Sequence, residues 1–266
     1  MELDTIYNAD CMVGMNDIPD HSVDMILCDL PYGTTKNAWD SVLPLDELWV
    51  QYKRIIKKGG AVVLTCQIPF TIDVANSNRE WLRYEWIWEK ATPTGFLNAN
   101  RMPLKAHENV LVFYESLCKY NPQGLKCTSH KDLYHGKSDN YGEYQTKKNT
   151  EVKLRDNPKN YGNFYDGLES GMVNYPRDVI QFKKEVTQHP TQKPVALFEY
   201  LVRTYTDEGD VVLDNCMGSG TTAVACIRSG RHYIGFETDP EYYAIATERC
   251  RETARVIPKK TLEDWF

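Results

Sequence analysis

Val211-Val212-Leu213-Asp214-Asn215-Cys216-Met217-Gly218-Ser219-Gly220-Thr221-Thr222 decides how this chain folds. A short apolar run, an acidic residue, a turn with two glycines and a helix start follow one another without a gap. Two glycines let the backbone approach a ligand closely, and the N-terminus of the next helix offers free N–H groups to an anion. Glu237 ends the next apolar run, Tyr233-Ile234-Gly235-Phe236, 23 residues after Asp214. That is near the spacing at which an acidic residue meets ribose hydroxyls. A third glycine and a phosphate-binding lysine are both missing from the turn. A ligand with a ribose and a small carboxylate suits it better than one with a phosphate chain.

Working outward, strand and helix patterns alternate. Pro194 opens a helix carrying Leu197, Leu201 and Val202, expected to close near Gly209. Thr221 to Ser229 reads as a helix stopped by Gly230, and Asp239-Pro240 caps another that runs to about Arg255. Upstream, Ile26-Leu27-Cys28 and Ala61-Val62-Val63-Leu64-Thr65-Cys66 read as buried parallel strands. Between them Leu45, Leu48, Tyr52, Ile55 and Ile56 recur at helical spacing, with Lys57-Lys58-Gly59-Gly60 as the expected stop. Glu85–Glu89 and Val110–Tyr114 are two more strand candidates. The alternation predicts an α/β fold, a mostly parallel twisted sheet with helices on both faces.

Residues 115–188 differ. Apolar runs vanish there, and 7 of the 17 tyrosines fall between Tyr120 and Tyr175. The segment holds 12 Lys and Arg against 10 Asp and Glu, whereas the whole chain of 266 residues carries a net charge of −6. The reading is three segments: 1–114, a loop-rich insertion at 115–188, and 189–266. The overall acidity argues against a protein held on a polyanion by bulk charge, so any such contact is local. Membrane-length apolar runs and a basic-then-apolar leader are absent, and the eight cysteines contain no CxxC. These features predict a cytoplasmic protein with reduced thiols. Cys118, Cys127, His130 and His135 are spaced Cys-x8-Cys-x2-His-x4-His, a poor zinc pattern, and no metal is expected.

Directly after Val23–Cys28 stands Asp29-Leu30-Pro31-Tyr32-Gly33, at a strand's carboxyl end, where open α/β sheets bind ligands. Asp29 offers a carboxylate, Leu30 a main-chain carbonyl, Pro31 a fixed φ and Tyr32 an aromatic face. Two acceptors beside a π-surface suit a planar base bearing an amino group.

Asp29-Leu30-Pro31-Tyr32 resembles the Asp-Pro-Pro-Tyr motif of the amino-group DNA methyltransferases. Asp214 to Thr222 resembles their S-adenosylmethionine loop. His189-Pro190-Thr191-Gln192-Lys193-Pro194 resembles the segment preceding that loop in the β class, whose motif order this chain follows. Asn8-Ala9-Asp10-Cys11 and Ala106-His107-Glu108 extend the likeness over nearly the whole chain apart from 115–188. Two positions depart from it. Leu30 replaces the usual Pro where only a backbone carbonyl is used, and Cys216 stands where Phe is usual.

The resemblance implies a Rossmann-like methyltransferase fold and methyl transfer from S-adenosylmethionine to the N6 amino group of an adenine flipped out of double-stranded DNA. The cytosine N4 amino group is the alternative, since Asp in first position favours adenine where Ser favours cytosine. A third reading, a non-catalytic DNA-binding relative, would predict damaged motifs. A nicotinamide oxidoreductase would need Gly-x-Gly-x-x-Gly after the first strand.

By the same resemblance Asp29, Leu30, Pro31 and Tyr32 form the catalytic motif. Asp214, Cys216, Gly218, Ser219, Gly220 and Thr221 line the cofactor, with Glu237 on its ribose and Asp10 on its adenine. His189, Thr191 and Lys193 come from the preceding segment, the last two meeting the methionine carboxylate. Lys36, Arg101 and Lys105 flank the catalytic motifs, and Lys147 and Lys148 lie in the insertion, here the target-recognition region; all five are candidate DNA contacts. Members of the class often dimerise, so a homodimer and a cognate restriction endonuclease are the candidate protein partners. No membrane partner is expected.

Overall fold

A computed structural model describes residues 1–33, 41–129, 170–183 and 192–256. Two compact units result, one formed by Met1–Asn121 with Asp178–Phe266, the other by Pro122–Arg177.

The first unit is built on an eight-stranded sheet. Its strands are β1 (Thr5–Tyr7), β2 (Val23–Asp29), β3 (Ile56–Cys66), β4 (Leu82–Thr94), β5 (Lys105–Phe113), β8 (Val179–Phe182), β9 (Val211–Asp214) and β10 (His232–Phe236). They lie in the order β1-β10-β9-β2-β3-β5-β4-β8. From β1 to β3 every pairing is parallel, and only β5 runs against its neighbours. The reversal follows from the connection. A direct hairpin joins β4 to β5, whereas parallel neighbours need a crossover.

Among the described residues, six helices belong to this unit: α1 (Cys11–Gly14), α2 (Leu45–Ile55), α3 (Phe70–Ser77), α4 (Val195–Tyr205), α5 (Thr221–Ser229) and α6 (Pro240–Val256). Successive strand residues point to opposite faces, so each buried strand feeds two cores. Met25, Leu27 and Val63 pack with Leu197 and Leu201 of α4, Ala223 of α5 and Ala246 of α6. Ile26, Cys28, Val62 and Leu64 pack on the other side with Leu48, Tyr52 and Ile55 of α2 and Phe70 and Val74 of α3. The apolar runs are continuous because both faces are covered. None of the described helices is long and apolar enough to cross a membrane.

Three local expectations are corrected. Ile56 is not the last residue of a helix; α2 ends at Ile55 and β3 begins at once. Lys57–Gly60 therefore lie inside the strand, where the ladder shifts: Val23 faces Ile56, but Met25 faces Ala61. The extra residues form a bulge held by the 2.7 Å ion pair between Lys57 and Asp24. Helix α4 closes at Tyr205 rather than near Gly209, which with φ +85° makes the turn before β9. By contrast Asp239 caps α6 as read, accepting hydrogen bonds from the Glu241 and Tyr242 N–H groups at 2.8 and 3.2 Å.

Within 115–188, residues 115–121 and 178–183 belong to the sheet-bearing unit, where β8 pairs with β4. The second unit contains an antiparallel pair, β6 (Lys126–Ser129) with β7 (Ser170–Val173). Asn174 Nδ2 donates to the Gly124 carbonyl at 2.7 Å beside it.

Candidate active site

Strand order reverses between β2 and β9. From β9 the chain moves to β10 on one side, and from β2 it moves to β3 on the other. Ligands of open α/β sheets bind outside the carboxyl ends of the strands at such a point. A cleft of about 400 Å³ lies there. Asp29, Leu30, Pro31 and Tyr32 line one part of it. Asp214, Cys216, Gly218, Ser219, Thr221 and Glu237 line another, and Asp10 and Lys193 also reach it. Two stretches 185 residues apart in sequence thus share one wall because β2 and β9 are neighbours.

The glycine turn is built by backbone geometry. Gly218 and Gly220 have φ of +54° and +85°, the left-handed region that favours glycine. A Cβ on Gly220 would also meet Cα and Cβ of Ala246 at 3.0 Å, so α6 crosses close over the turn. Gly218 N–H donates to Glu237 Oε2 at 2.7 Å and Asp239 N–H to its Oε1 at 2.8 Å. Burial pushes the Glu237 carboxyl above the usual range, against these two hydrogen bonds. Asp10 is exposed and caps α1, its Oδ1 accepting from Met12 N–H at 2.7 Å. Ser219 Oγ donates to Gln192 Oε1 at 3.1 Å. Below the turn, the fully buried Tyr52 hydroxyl donates to Asn215 Oδ1 at 2.5 Å, tying α2 to this loop.

Asp214 is buried beneath the turn and accepts from the Thr222 hydroxyl and from Cys216 N–H, the latter at 3.0 Å. Burial nonetheless pushes its carboxyl up to about 6. A raised carboxyl stabilises the fold fully below its unfolded value near 4, and that contribution is lost as pH rises through 6. Two units correspond to about 3 kcal/mol. Compared with Asp214→Asn, the wild type is therefore expected to lose stability between about pH 4 and pH 7. Thermal melts of both proteins across that range check the sign; a constant difference refutes it.

Around Asp29 the geometry is dense. Its Oδ1 accepts from the Tyr32 hydroxyl at 2.7 Å and from the Thr65 hydroxyl. Its Oδ2 accepts from Lys193 Nζ at 2.5 Å. The same ammonium stands 5.4 Å from the centre of the Tyr32 ring, which packs against Phe70 at 5.4 Å between centroids. Burial and the Asp29 charge push the Tyr32 hydroxyl well above its usual range, so it stays a donor. Lys193 is only 8% exposed, and Glu108 lies 3.4 Å from its Nζ. Burial opposes its charge, but the two carboxylates outweigh this and hold the amine above its ordinary range.

Arg101 and Lys105 are exposed on the β4–β5 hairpin, and Lys105 Nζ donates to Gln67 Oε1 at 2.8 Å. Lys36, Lys147, Lys148, His189 and Thr191 lie outside the described residues, as do His130 and His135. Cys118 is buried, and among the described residues no group of three or more His, Cys, Asp or Glu is placed to hold a metal.

Sequence reasoning passed over Thr65, Glu108 and Lys90. Thr65 carried a signal, being the one hydroxyl in a strand otherwise apolar from Ala61 to Cys66. Glu108 stood in a quoted motif without a role, and its partners are set by strand pairing.

A Rossmann-like sheet with an Asp-x-Pro-Tyr loop and a glycine turn sharing one cleft is the architecture of a protein that binds a nucleotide-like ligand at its switch point. The profile of the DNA methylase family that covers N6 and N4 amino-methyltransferases matches residues 23–248, and the chain belongs to this family. The DNA adenine methyltransferase YhdJ of Escherichia coli (strain K12) is 28% identical, over 98% of this chain and 90% of that protein. The type II methyltransferase M.HinfI of Haemophilus influenzae is 27% identical, over 94% and 69%. Among solved structures, M1.HpyAVI in complex with SAM superposes with a TM-score of 0.59 at 24% identity, covering 92% of this chain and 98% of that one. The cytosine-N4-specific PvuII DNA methyltransferase superposes with a TM-score of 0.61 at 16% identity, covering 92% and 85%. The shared fold is therefore that of SAM-dependent DNA methyltransferases.

Proposed function

We propose that this DNA amino-methyltransferase transfers a methyl group from S-adenosylmethionine to the N6 amino group of adenine in double-stranded DNA. The observation that carries the reading is the common cleft: Asp29–Tyr32 at the end of β2 and Asp214–Ser219 after β9 open into the same space. Its donor set fits the cofactor. Glu237 suits a pair of ribose hydroxyls, Asp10 an exocyclic amine, and Gly218 to Gly220 a close backbone approach. When bound there, S-adenosylmethionine supplies an electrophilic methyl group on a sulfonium.

The chain's own residues prepare the acceptor. An exocyclic amino nitrogen is a poor nucleophile because its lone pair is delocalised into the ring. The Asp29 carboxylate and the Leu30 carbonyl accept its two hydrogens, which favours a pyramidal nitrogen with a localised lone pair. That shape exists fully only in the transition state, so the binding is differential. Tyr32 offers a stacking face, anchored by its own hydroxyl on Asp29. As the nitrogen gains a carbon it loses a proton, for which the Asp29 carboxylate is the adjacent acceptor. Adenine is favoured over cytosine by Asp at the first motif position, and a 28% identical relative is named an adenine methyltransferase. Incubating DNA with labelled S-adenosylmethionine, then separating the nucleosides, tests this. Label in N6-methyl-2′-deoxyadenosine supports the reading, and label in N4-methyl-2′-deoxycytidine replaces it with the cytosine alternative.

For DNA engagement, the β4–β5 hairpin is the strongest candidate beyond the lysines. Asn109 pairs with Cys66, the last residue of β3, so β5 overhangs the catalytic edge by the four residues back to Lys105, about 14 Å. Phe96 and Leu97 at its tip are 80% and 98% exposed, with Arg101 and Lys105 beside them. Apolar wedges flanked by cations open base steps. The double substitution Phe96→Ser, Leu97→Ser is expected to lower kcat/KM for duplex DNA about tenfold, a stacking loss of about 1.4 kcal/mol. Cofactor affinity should stay unchanged; steady-state kinetics with a duplex and calorimetry read the two. The insertion at 115–188 would read the target sequence, and its tyrosines and lysines suit base and phosphate contacts.

A further inference from the structure

Four ionised side chains from four parts of the fold form a line beside the cleft. Lys90 of β4 pairs with Glu108 of β5 at 2.7 Å, Glu108 faces Lys193 at 3.4 Å, and Lys193 pairs with Asp29 at 2.5 Å. None of the four side chains is more than 29% exposed. Charges alternate along the line and sum to zero. Buried ions are retained when each is compensated, and here the compensation runs from outside the motif inward to Asp29.

Two details give the line a direction. Glu108 Oε2 is buried and makes no hydrogen bond among the described residues, while the Lys193 ammonium stands 3.4 Å from it. A shift of about half an ångström would turn that contact into a hydrogen bond. Asp29, meanwhile, is crowded. Two hydroxyls occupy Oδ1 and Lys193 occupies part of Oδ2. A carboxylate has about four lone-pair positions, so an arriving amino group must take the one left on Oδ2, beside the ammonium.

Resting on the proposed function, we infer that Lys193 serves as a positioning residue for Asp29 rather than as a ligand of the cofactor carboxylate. Glu108, itself held by Lys90, is the second acceptor that draws the ammonium back when a target amino group reaches Asp29. The ammonium holds the carboxylate in place in the free enzyme and yields part of Oδ2 to the substrate. Nothing in this exchange transfers a proton or changes the net charge.

The test uses the full chain with Glu108→Gln, and with Lys90→Met, Glu108→Gln together, which restores charge balance should the single variant fold poorly. Cofactor affinity comes from calorimetry with S-adenosylmethionine, and kcat and KM from methylation of duplex DNA. In both variants the cofactor Kd should stay within about threefold while kcat falls at least about tenfold, a loss confined to the bound complex. A tenfold loss of cofactor affinity with kcat intact overturns the inference, because Lys193 would then serve the cofactor. A wild-type kcat in the double variant also overturns it, because the line would then supply only charge balance. A wild-type protein that methylates no DNA overturns the functional reading and this inference together, whereas the other two results overturn this inference alone.

Discussion

Asp29→Ala is expected to lower kcat for DNA methylation by about 10²–10³, with the cofactor still bound. The size is that of removing one preorganised polar group aimed at charge that develops in a transition state. Asp29 accepts from Tyr32, Thr65 and Lys193 at once, so its loss also frees the Tyr32 hydroxyl and its ring. The fold should survive the change. Lys193 keeps Glu108 as a carboxylate 3.4 Å away, Tyr32 lines the open cleft, and the buried Thr65 keeps the Tyr32 hydroxyl as a partner at 3.3 Å. Single-turnover methylation with saturating cofactor measures the effect, and a variant that retains full activity defeats the assignment. Asp29→Asn is a sharper probe. It keeps the size of the side chain and loses the charge that Lys193 answers.

Gly220→Ala should be strongly destabilising. Two independent costs meet there. A non-glycine residue at φ +85° costs about 1–2 kcal/mol, and a Cβ 3.0 Å from the Ala246 backbone adds about 1–3 kcal/mol of overpacking. Together they amount to about 2–5 kcal/mol, a fall in Tm of roughly 5–15 °C for a chain of this size. The two costs separate in a cycle. Adding Ala246→Gly should return only part of the packing share, since it removes the Ala246 Cβ contact but leaves its Cα at 3.0 Å and does not change φ. Full recovery in the double variant would show that backbone conformation contributes nothing. Because the turn leads into α5, cofactor affinity should fall in step with the displacement of α6.

What could be read from residues alone follows the range of the forces involved. Buried strands announced themselves as apolar runs, and Asp239-Pro240 announced a helix start, because capping is settled within a few residues. The pairing of Asp29–Tyr32 with the glycine turn was legible only through resemblance. Nothing local says that β2 lies beside β9. Lys57–Gly60 misled because basic residues before glycines also suit a bulge, and the choice depended on Asp24 across the ladder. Lys193 shows the same limit more sharply. The resemblance assigns it to a ligand's carboxylate, and nothing in its own segment announces the two side-chain carboxylates that it meets, 164 and 85 residues away. Thr65 and Glu108 acquire meaning only once three strands are laid side by side.

The position of β9 also governs how the molecule comes into being. Its Val211 N–H donates to Asp24, 187 residues earlier, and it fills the place beside β2. A chain leaving the ribosome at about 5–20 residues per second therefore carries β2 and β3 for roughly 10–40 s before that neighbour exists. Throughout that interval one edge of an apolar strand stands open, and the pocket has only one of its two walls. The strand that carries Asp29 is made early and gains its second neighbour late, so the nascent chain passes through a period in which that strand offers an unpaired edge.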